Sequence, residues 1–263
     1  MRSDGRRRLL LSDPHGHKDE LVAVLANAGL VDRDGRWAGG DTALFVLGDY
    51  FDRGPDGVGV VDLLMRLEPE AAEAGGRLTS LIGNHEALTV GVHRFGPNAR
   101  NGSPRAETFA SSWMHNGGQL SDQERLTDEH LAWLSSLPAV VVDDELLLLH
   151  SDTLEYLAWG ATVDDINAAV GKALAGQDPD EAWLCWRRLT DRYAFMGADG
   201  PALARDLMAS LGGTRIVHGH SIIGDLTGAE PATVTEPWWY ADGLVLAIDG
   251  GLYAGGPLLL VEI

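Results

Sequence analysis

Five places in the chain set metal-binding side chains in short, glycine-flanked motifs: Asp13-Pro14-His15-Gly16, Gly48-Asp49-Tyr50-Phe51-Asp52-Arg53-Gly54, Gly83-Asn84-His85-Glu86, His150, and Gly219-His220. A mixed set of carboxylate, amide oxygen and imidazole is what Mn, Fe or Zn sites accept. Two such ions, roughly 3.5–4 Å apart, need an anionic protein group to bridge them. Asp49 is the natural bridge, because it lies between the first motif and the Asn84 motif and has glycine on both sides of its loop. Hydroxide shared by two ions is a nucleophile at neutral pH, without any Ser or Cys. His218 competes with His220, since residues two apart on an extended segment share a face. Glycine spacing favours His220.

These residues need elements that bring them together. Short aliphatic runs precede nearly every motif: Leu9 to Leu11, Ala43 to Leu47, Leu78 to Ile82, Leu146 to Leu149, Ile216-Val217 and Leu244 to Ile248. Such runs, bounded by Gly, Asp or Asn, read as buried strands. Helical patterns cover Asp19 to Ala28 and Val58 to Leu67, the latter ending near Pro69. Alternating strands and helices predict an α/β fold, whose sites form at the carboxyl ends of strands. Gly91 to Arg105 reads as a long surface loop, followed by helices over about 107–114 and 128–137. Val140 to Leu149 reads as a hairpin turning at Asp143-Asp144. Further helices over about 162–175 and 180–189 are expected to cap the site. No repeat or linker divides the chain, so one domain over 1–263 is expected, with helical segments at about 91–137 and 152–200.

The chain has 263 residues, 45% of them hydrophobic, which allows a sizeable core. Its 20 Lys+Arg against 39 Asp+Glu give a formal net charge of -19, which argues against stable binding to nucleic acid. Cys185 is the single cysteine and sits among Trp183, Leu184 and Trp186, as a small buried hydrophobe would. Arg2, Arg6, Arg7 and Arg8 precede only three leucines, too few for a signal-peptide core, and no run approaches the roughly 18 apolar residues of a membrane span. A cytoplasmic protein with no membrane partner is the expectation.

In their order, the five motifs resemble those of the calcineurin-like metallophosphoesterases, and within them the phosphoprotein-phosphatase-like branch, which includes bacterial Ser/Thr phosphatases and diadenosine tetraphosphatases. The resemblance covers nearly the whole chain, including Leu137-Pro138 and the closing Ile248-Asp249-Gly250-Gly251. It implies a four-layer αββα sandwich with an inserted helical cap. It also implies two divalent ions, Mn first with Fe or Zn as alternatives. Asp13, His15 and Asp49 would hold one ion, and Asp49, Asn84, His150 and His220 the other. His85 would be the general acid, Asp52 its carboxylate partner and Arg53 a phosphate clamp, with Asn84 also near the substrate. A second arginine follows a tryptophan in this branch, which Trp186-Arg187-Arg188 resembles, with Arg188 favoured over Arg187.

The chain departs from the pattern at three places. Ser12 stands where glycine commonly precedes the first Asp, Ser151-Asp152 where a small residue and glycine often follow the fourth-motif histidine, and Ile222 where many relatives outside this branch have a second histidine. The first ion would then have three protein ligands. The implied reaction is in-line attack of the metal-bridging hydroxide on a phosphate monoester, with a phosphorylated protein or small phosphoester as partner. Phosphoserine or phosphothreonine is the preferred substrate. The alternatives are a dinucleoside polyphosphate hydrolase and, from another class, a non-catalytic metal-binding scaffold module.

Overall fold

All six aliphatic runs are strands, and their side chains alternate between two different cores. The structure is a computed structural model that describes residues 5–100 and 107–263. In the first sheet β1 (Arg8–Leu11), β2 (Ala43–Val46) and β3 (Arg77–Ser80) are parallel, and β9 (Val261–Glu262) pairs antiparallel with β1. In the second, β5 (Leu146–Leu149), β6 (Arg215–His218) and β8 (Val245–Ala247) are parallel, flanked by antiparallel β4 (Val140–Asp143) and β7 (Trp238–Tyr240).

Leu10, Phe45, Leu146, Leu148, Val217 and Leu246 pack together between the two sheets. Leu9, Leu11, Leu44, Val46, Leu147, Leu149 and Ile216 point the other way and join the core shared with the helices. Burial on both faces explains why these strands read as unbroken apolar runs rather than as alternating ones. The result is the expected αββα layering.

The helices among the described residues are α1 (Lys18–Asn27), α2 (Gly57–Glu73), α3 (Asn84–Phe95), α4 (Phe109–His115), α5 (Leu120–Arg125), α6 (Asp128–Ser136), α7 (Val163–Ala175), α8 (Pro179–Thr190), α9 (Gly200–Leu211) and α10 (Ile223–Thr227). Side-chain caps start several of them, as at Asp56, Thr127, Thr162 and Asp178. α2 packs on β3, and α7 and α9 on β4 and β6. α8 packs along α3 and α7, with Phe109 edge-on to Trp183. Cys185 is fully buried there, its thiol pushed up to about 12 by burial.

Two sequence expectations are corrected. α2 does not end near Pro69 but continues to Glu73. Buried Leu67 and Ala71 carry its apolar face past the proline, and Glu70 accepts the Trp37 N–H at 2.9 Å, so packing outweighs the local cost of proline. Residues 91–105 are not one long loop, because α3 runs to Phe95. Gly91 lies against the Phe109 ring, where a Cβ would come within 2.3 Å of Cε1; it serves close helix packing, not chain flexibility. Residues 101–105 of that expected loop lie outside the described residues. No helix among the described residues is long and apolar enough to cross a membrane.

Candidate metal centre

The parallel strands deliver their motifs to one end of the sandwich. Asp13 follows β1, Asp49 follows β2, Asn84 and His85 open α3 after β3, His150 follows β5, His220 follows β6 and Asp249 follows β8. The turns are sharp. Asp13, His15, Asp49, Asp52, Arg53 and His220 all have positive φ, six of the ten such non-glycine residues among those described, which is the backbone strain that clusters at functional sites. Sheet-like bonds continue into the loops: His15 N donates to Asp49 O at 2.9 Å and Gly54 N to His15 O at 2.9 Å. Gly54 is required there, since a Cβ would lie 2.2 Å from His15 O. Gly48, at φ 101, faces Gly83 N and His150 Nδ1, both 2.8 Å from where its Cβ would be.

Glu86 fixes the central loop from behind. Its carboxylate accepts Asp49 N at 2.8 Å, Tyr50 N at 2.7 Å and Gly83 N at 2.8 Å. Burial nevertheless raises its pKa to about 7. Glu86→Gln puts an N–H₂ among these donors, leaving at least one buried N–H without an acceptor. We expect it to lower unfolding free energy by about 1–3 kcal/mol in urea titration of the metal-free chain.

Asp49 stands between two clusters. Its Oδ1 is 3.3 Å from His150 Nε2, which is 3.0 Å from Asn84 Oδ1. Its Oδ2 is 3.7 Å from His15 Nε2 and 3.8 Å from His85 Nε2. Two groups of ligand atoms close enough to hold an ion therefore share this carboxylate: His15, Asp49 and His85, and Asp49, His150 and His220. Asp13 Oδ1 faces His15 Nε2 at 4.0 Å, and Asp13 Oδ2 accepts His220 N at 2.9 Å.

The imidazoles are oriented for this. His15 Nδ1 donates to Phe51 O at 2.9 Å and His150 Nδ1 to Leu47 O at 2.7 Å, which leaves both Nε2 lone pairs facing inward. His220 donates from Nε2 to Thr190 O at 3.1 Å, which frees Nδ1. His218 offers no lone pair: Nδ1 donates to Gly219 O at 2.8 Å and Nε2 accepts from Tyr240 OH at 2.8 Å.

The chemistry of the donor set fits cations. Burial drives the His15 and His220 pKa values well below the ordinary range and that of His150 to about 4, so all three are neutral, as metal ligands must be. Asp49 is pushed well up by burial, then by Asp13 and Glu86, and Asp249 by burial, then by Asp13. Asp13 Oδ1 and Asp249 Oδ2 are buried with no hydrogen-bond partner among the described residues. Buried carboxylates crowded in this way need positive charge among them.

Beside the clusters, Asp52 binds His85 Nδ1 at 2.6 Å through Oδ2 and accepts Trp113 Nε1 at 2.7 Å through Oδ1. Burial lowers the His85 imidazole and raises the Asp52 carboxyl. The 2.6 Å contact fixes the ring so that Nε2 faces Asp49 Oδ2, 3.8 Å away. Arg53 donates its backbone N–H to Gly117 O at 2.8 Å and lays its guanidinium 3.4 Å from the centre of the Tyr253 ring. Burial lowers its pKa, while Asp49, Asp13, Asp249 and Asp52 favour its charge. A recess of about 420 Å³ opens there, lined by Arg53, His115, Asn116, Gly117 and Tyr253.

Arg188 does not join this group. It lies over Trp159, 5.3 Å from the ring centre, with Nε 3.4 Å from Glu155. Arg192 stands two residues after Thr190, whose carbonyl accepts His220 Nε2 at 3.1 Å, and its charge favours the neutral forms of His85, His150 and His220 and the ionised form of Asp249. About one helical turn separates the two arginines in sequence, but α8 stops at Thr190, so Arg188 is held on the helix and Arg192 lies beyond its end. Trp113 and Tyr253 were also missed, and no sequence signal singles them out.

Comparison with known proteins agrees with this geometry. The calcineurin-like phosphoesterase family matches residues 6–224. The chain belongs to that family. A calcineurin-like phosphoesterase uses divalent metals, and the buried Asp/His clusters are where this chain could hold them. Shewanella-like protein phosphatase 2 of Arabidopsis thaliana is 34% identical over 84 residues, 32% of this chain and 22% of that protein. The chain thus spans less than a quarter of that relative's length. A symmetrical bis(5'-nucleosyl)-tetraphosphatase of Hamiltonella defensa is 26% identical over 150 residues, covering 57% of this chain and 45% of that one. Among solved structures, the cold-active protein-tyrosine phosphatase of a psychrophilic Shewanella species superposes with a TM-score of 0.70 at 21% identity, over 98% of this chain and 75% of that one. It shares the fold.

Proposed function

We propose that this calcineurin-like phosphoesterase is a metal-dependent phosphoprotein phosphatase acting on phosphoserine and phosphothreonine. The reading places one ion with Asp13, His15 and Asp49 and a second with Asp49, Asn84, His150 and His220, manganese being the first choice. The observation that carries it is Asp49, whose two oxygens face different ligand clusters. Divalent ions, when bound, supply Lewis-acid charge that polarises the phosphoryl group and acidifies water.

The chain's own groups do the rest. Arg53 and Arg192 would neutralise the phosphoryl oxygens, Arg53 as a bidentate fork held flat on Tyr253. His85 Nε2–H would protonate the leaving alkoxide, while Asp52, fixed by Trp113, steadies the imidazole. The recess beside Arg53 offers room for the leaving alcohol on a peptide. On this reading residues 1–263 act as one domain, and its single buried cysteine suits a cytoplasmic setting.

The test pairs a phosphoserine peptide with diadenosine tetraphosphate, each assayed with Mn²⁺ and then with a chelator. Peptide turnover that needs the metal and exceeds tetraphosphate turnover is the expected result. Turnover indifferent to chelation would sink the mechanism, and a preference for the tetraphosphate would replace the substrate. Arg192→Ala is expected to lower kcat/KM by about 100- to 1,000-fold. Arg188→Ala is expected to stay close to wild type, since its side chain packs on Trp159 and Glu155. Steady-state kinetics on the same peptide separates the two.

A further inference from the structure

Three loops meet at one fully buried carboxylate, Asp152. It lies two residues after His150. Its Oδ1 accepts the Ser221 hydroxyl at 2.5 Å, directly after His220. Its Oδ2 accepts Tyr193 N at 3.0 Å, directly after Arg192, and its backbone carbonyl accepts Ala194 N at 2.9 Å. Tyr240 OH is 3.5 Å from Oδ2, with its proton directed to His218 Nε2 at 2.8 Å. On the other side of Arg192, Thr153 Oγ1 donates to Asp191 Oδ2 at 2.6 Å.

Arg192 therefore has both sequence neighbours tied to residues 152 and 153. The tie holds a strained conformation: Tyr193 has φ 72, a region a bulky side chain avoids unless its surroundings impose it. A charge-assisted bond from the Tyr193 N–H to a buried carboxylate is such an imposition. Without it Tyr193 would be free to relax to negative φ, and that backbone rotation would move Arg192 relative to the His220 ring, which donates to Thr190 O at 3.1 Å. A glycine at 152 could supply the backbone carbonyl bond but neither side-chain bond.

We infer that Asp152 is a positioning residue that couples the His150 and His220 loops to Arg192 and so sets the phosphate clamp against the metal centre. The inference rests on the reading of Arg192 as a clamp. The experiment measures binding of inorganic phosphate to the Mn²⁺-loaded chain by calorimetry, with metal content determined in parallel.

Arg192→Ala alone tests the clamp; if it leaves phosphate binding unchanged, that reading fails and this one with it. Given a loss there, Asp152→Ala is expected to weaken phosphate about tenfold or more with metal content unchanged, as loss of a charged hydrogen bond implies. The double variant should be no weaker than Arg192→Ala, because both changes remove one interaction. Asp152→Asn should recover most of the affinity, with its oxygen to Tyr193 N and its amide to Ser221 Oγ. Phosphate binding unchanged in Asp152→Ala, or losses that add in the double variant, would overturn the inference while leaving the clamp intact. Should Asp152→Ala not fold, Asp152→Ser, which keeps a small polar side chain but is too short to reach both Tyr193 N and Ser221 Oγ, should weaken phosphate about threefold or more; no change there overturns the inference equally.

Discussion

Asp49→Asn is expected to empty both ligand clusters at once. Asn tolerates the positive φ of 58 that position 49 adopts, and its side-chain oxygen can still accept His85 N, which reaches Asp49 Oδ1 at 3.0 Å. The loop should thus keep its shape, held by Glu86. What is lost is the negative charge and the second oxygen, which faces His15 and His85. Groups that merely support a metal ligand cost about 10–100-fold in metal affinity, so loss of a shared ligand should exceed that range. Elemental analysis should find both ions depleted, and phosphopeptide turnover should fall with them. The thermal midpoint should no longer rise with Mn²⁺, since a ligand stabilises only the state that binds it. Two ions retained in Asp49→Asn would refute the shared-ligand reading.

His85→Asn is expected to leave both ions in place and to lower kcat by about 100- to 10,000-fold, the range for removing a positioned general acid. The asparagine amide can take over the Nδ1 bond to Asp52, so the hydrogen bond to the Trp113-bound carboxylate survives while the Nε2 proton is lost. The decisive comparison is between substrates. A nitrophenyl ester, whose leaving oxygen needs no proton, should lose far less rate than a phosphoserine peptide. His85 also lies at ligand distance from Asp49 and His15, which gives the result a second use. Equal losses on both esters, together with metal depletion, would make His85 a ligand instead of an acid.

Much of this protein was legible because parallel strands buried on both faces leave an unusually plain trace. Each run of aliphatic residues marks a strand, and the polar residue that ends it marks the place where the chain leaves the sheet. Asp13, Asp49, Asn84, His150 and His220 are all such endings; parallel order brings each set to one edge of its own sheet, and the packing of the two sheets joins the sets. Glycines at 48, 54 and 83 were readable as the same signal, because only a missing side chain permits those turns.

Local rules failed where a partner distant in sequence set the outcome. Gly91 belongs to a helix because the Phe109 ring needs its space, and Pro69 stays within α2 because Leu67 and Ala71 are buried. His218 against His220 could not be resolved by spacing; Tyr240, from another strand, occupies the rival's free nitrogen. The second arginine shows the limit most clearly. Trp186-Arg187-Arg188 lies on α8, where Arg188 meets Trp159 and Glu155, while Arg192 lies beyond the helix end with both its neighbours bonded to residues 152 and 153. The candidate ligands were marked by residue type at strand ends, a local property carried by the sequence itself. The proposed clamp, the orientation of each imidazole and the carboxylate that ties the loops together depend on hydrogen bonds between segments far apart in the chain, and those exist only once the two sheets have packed.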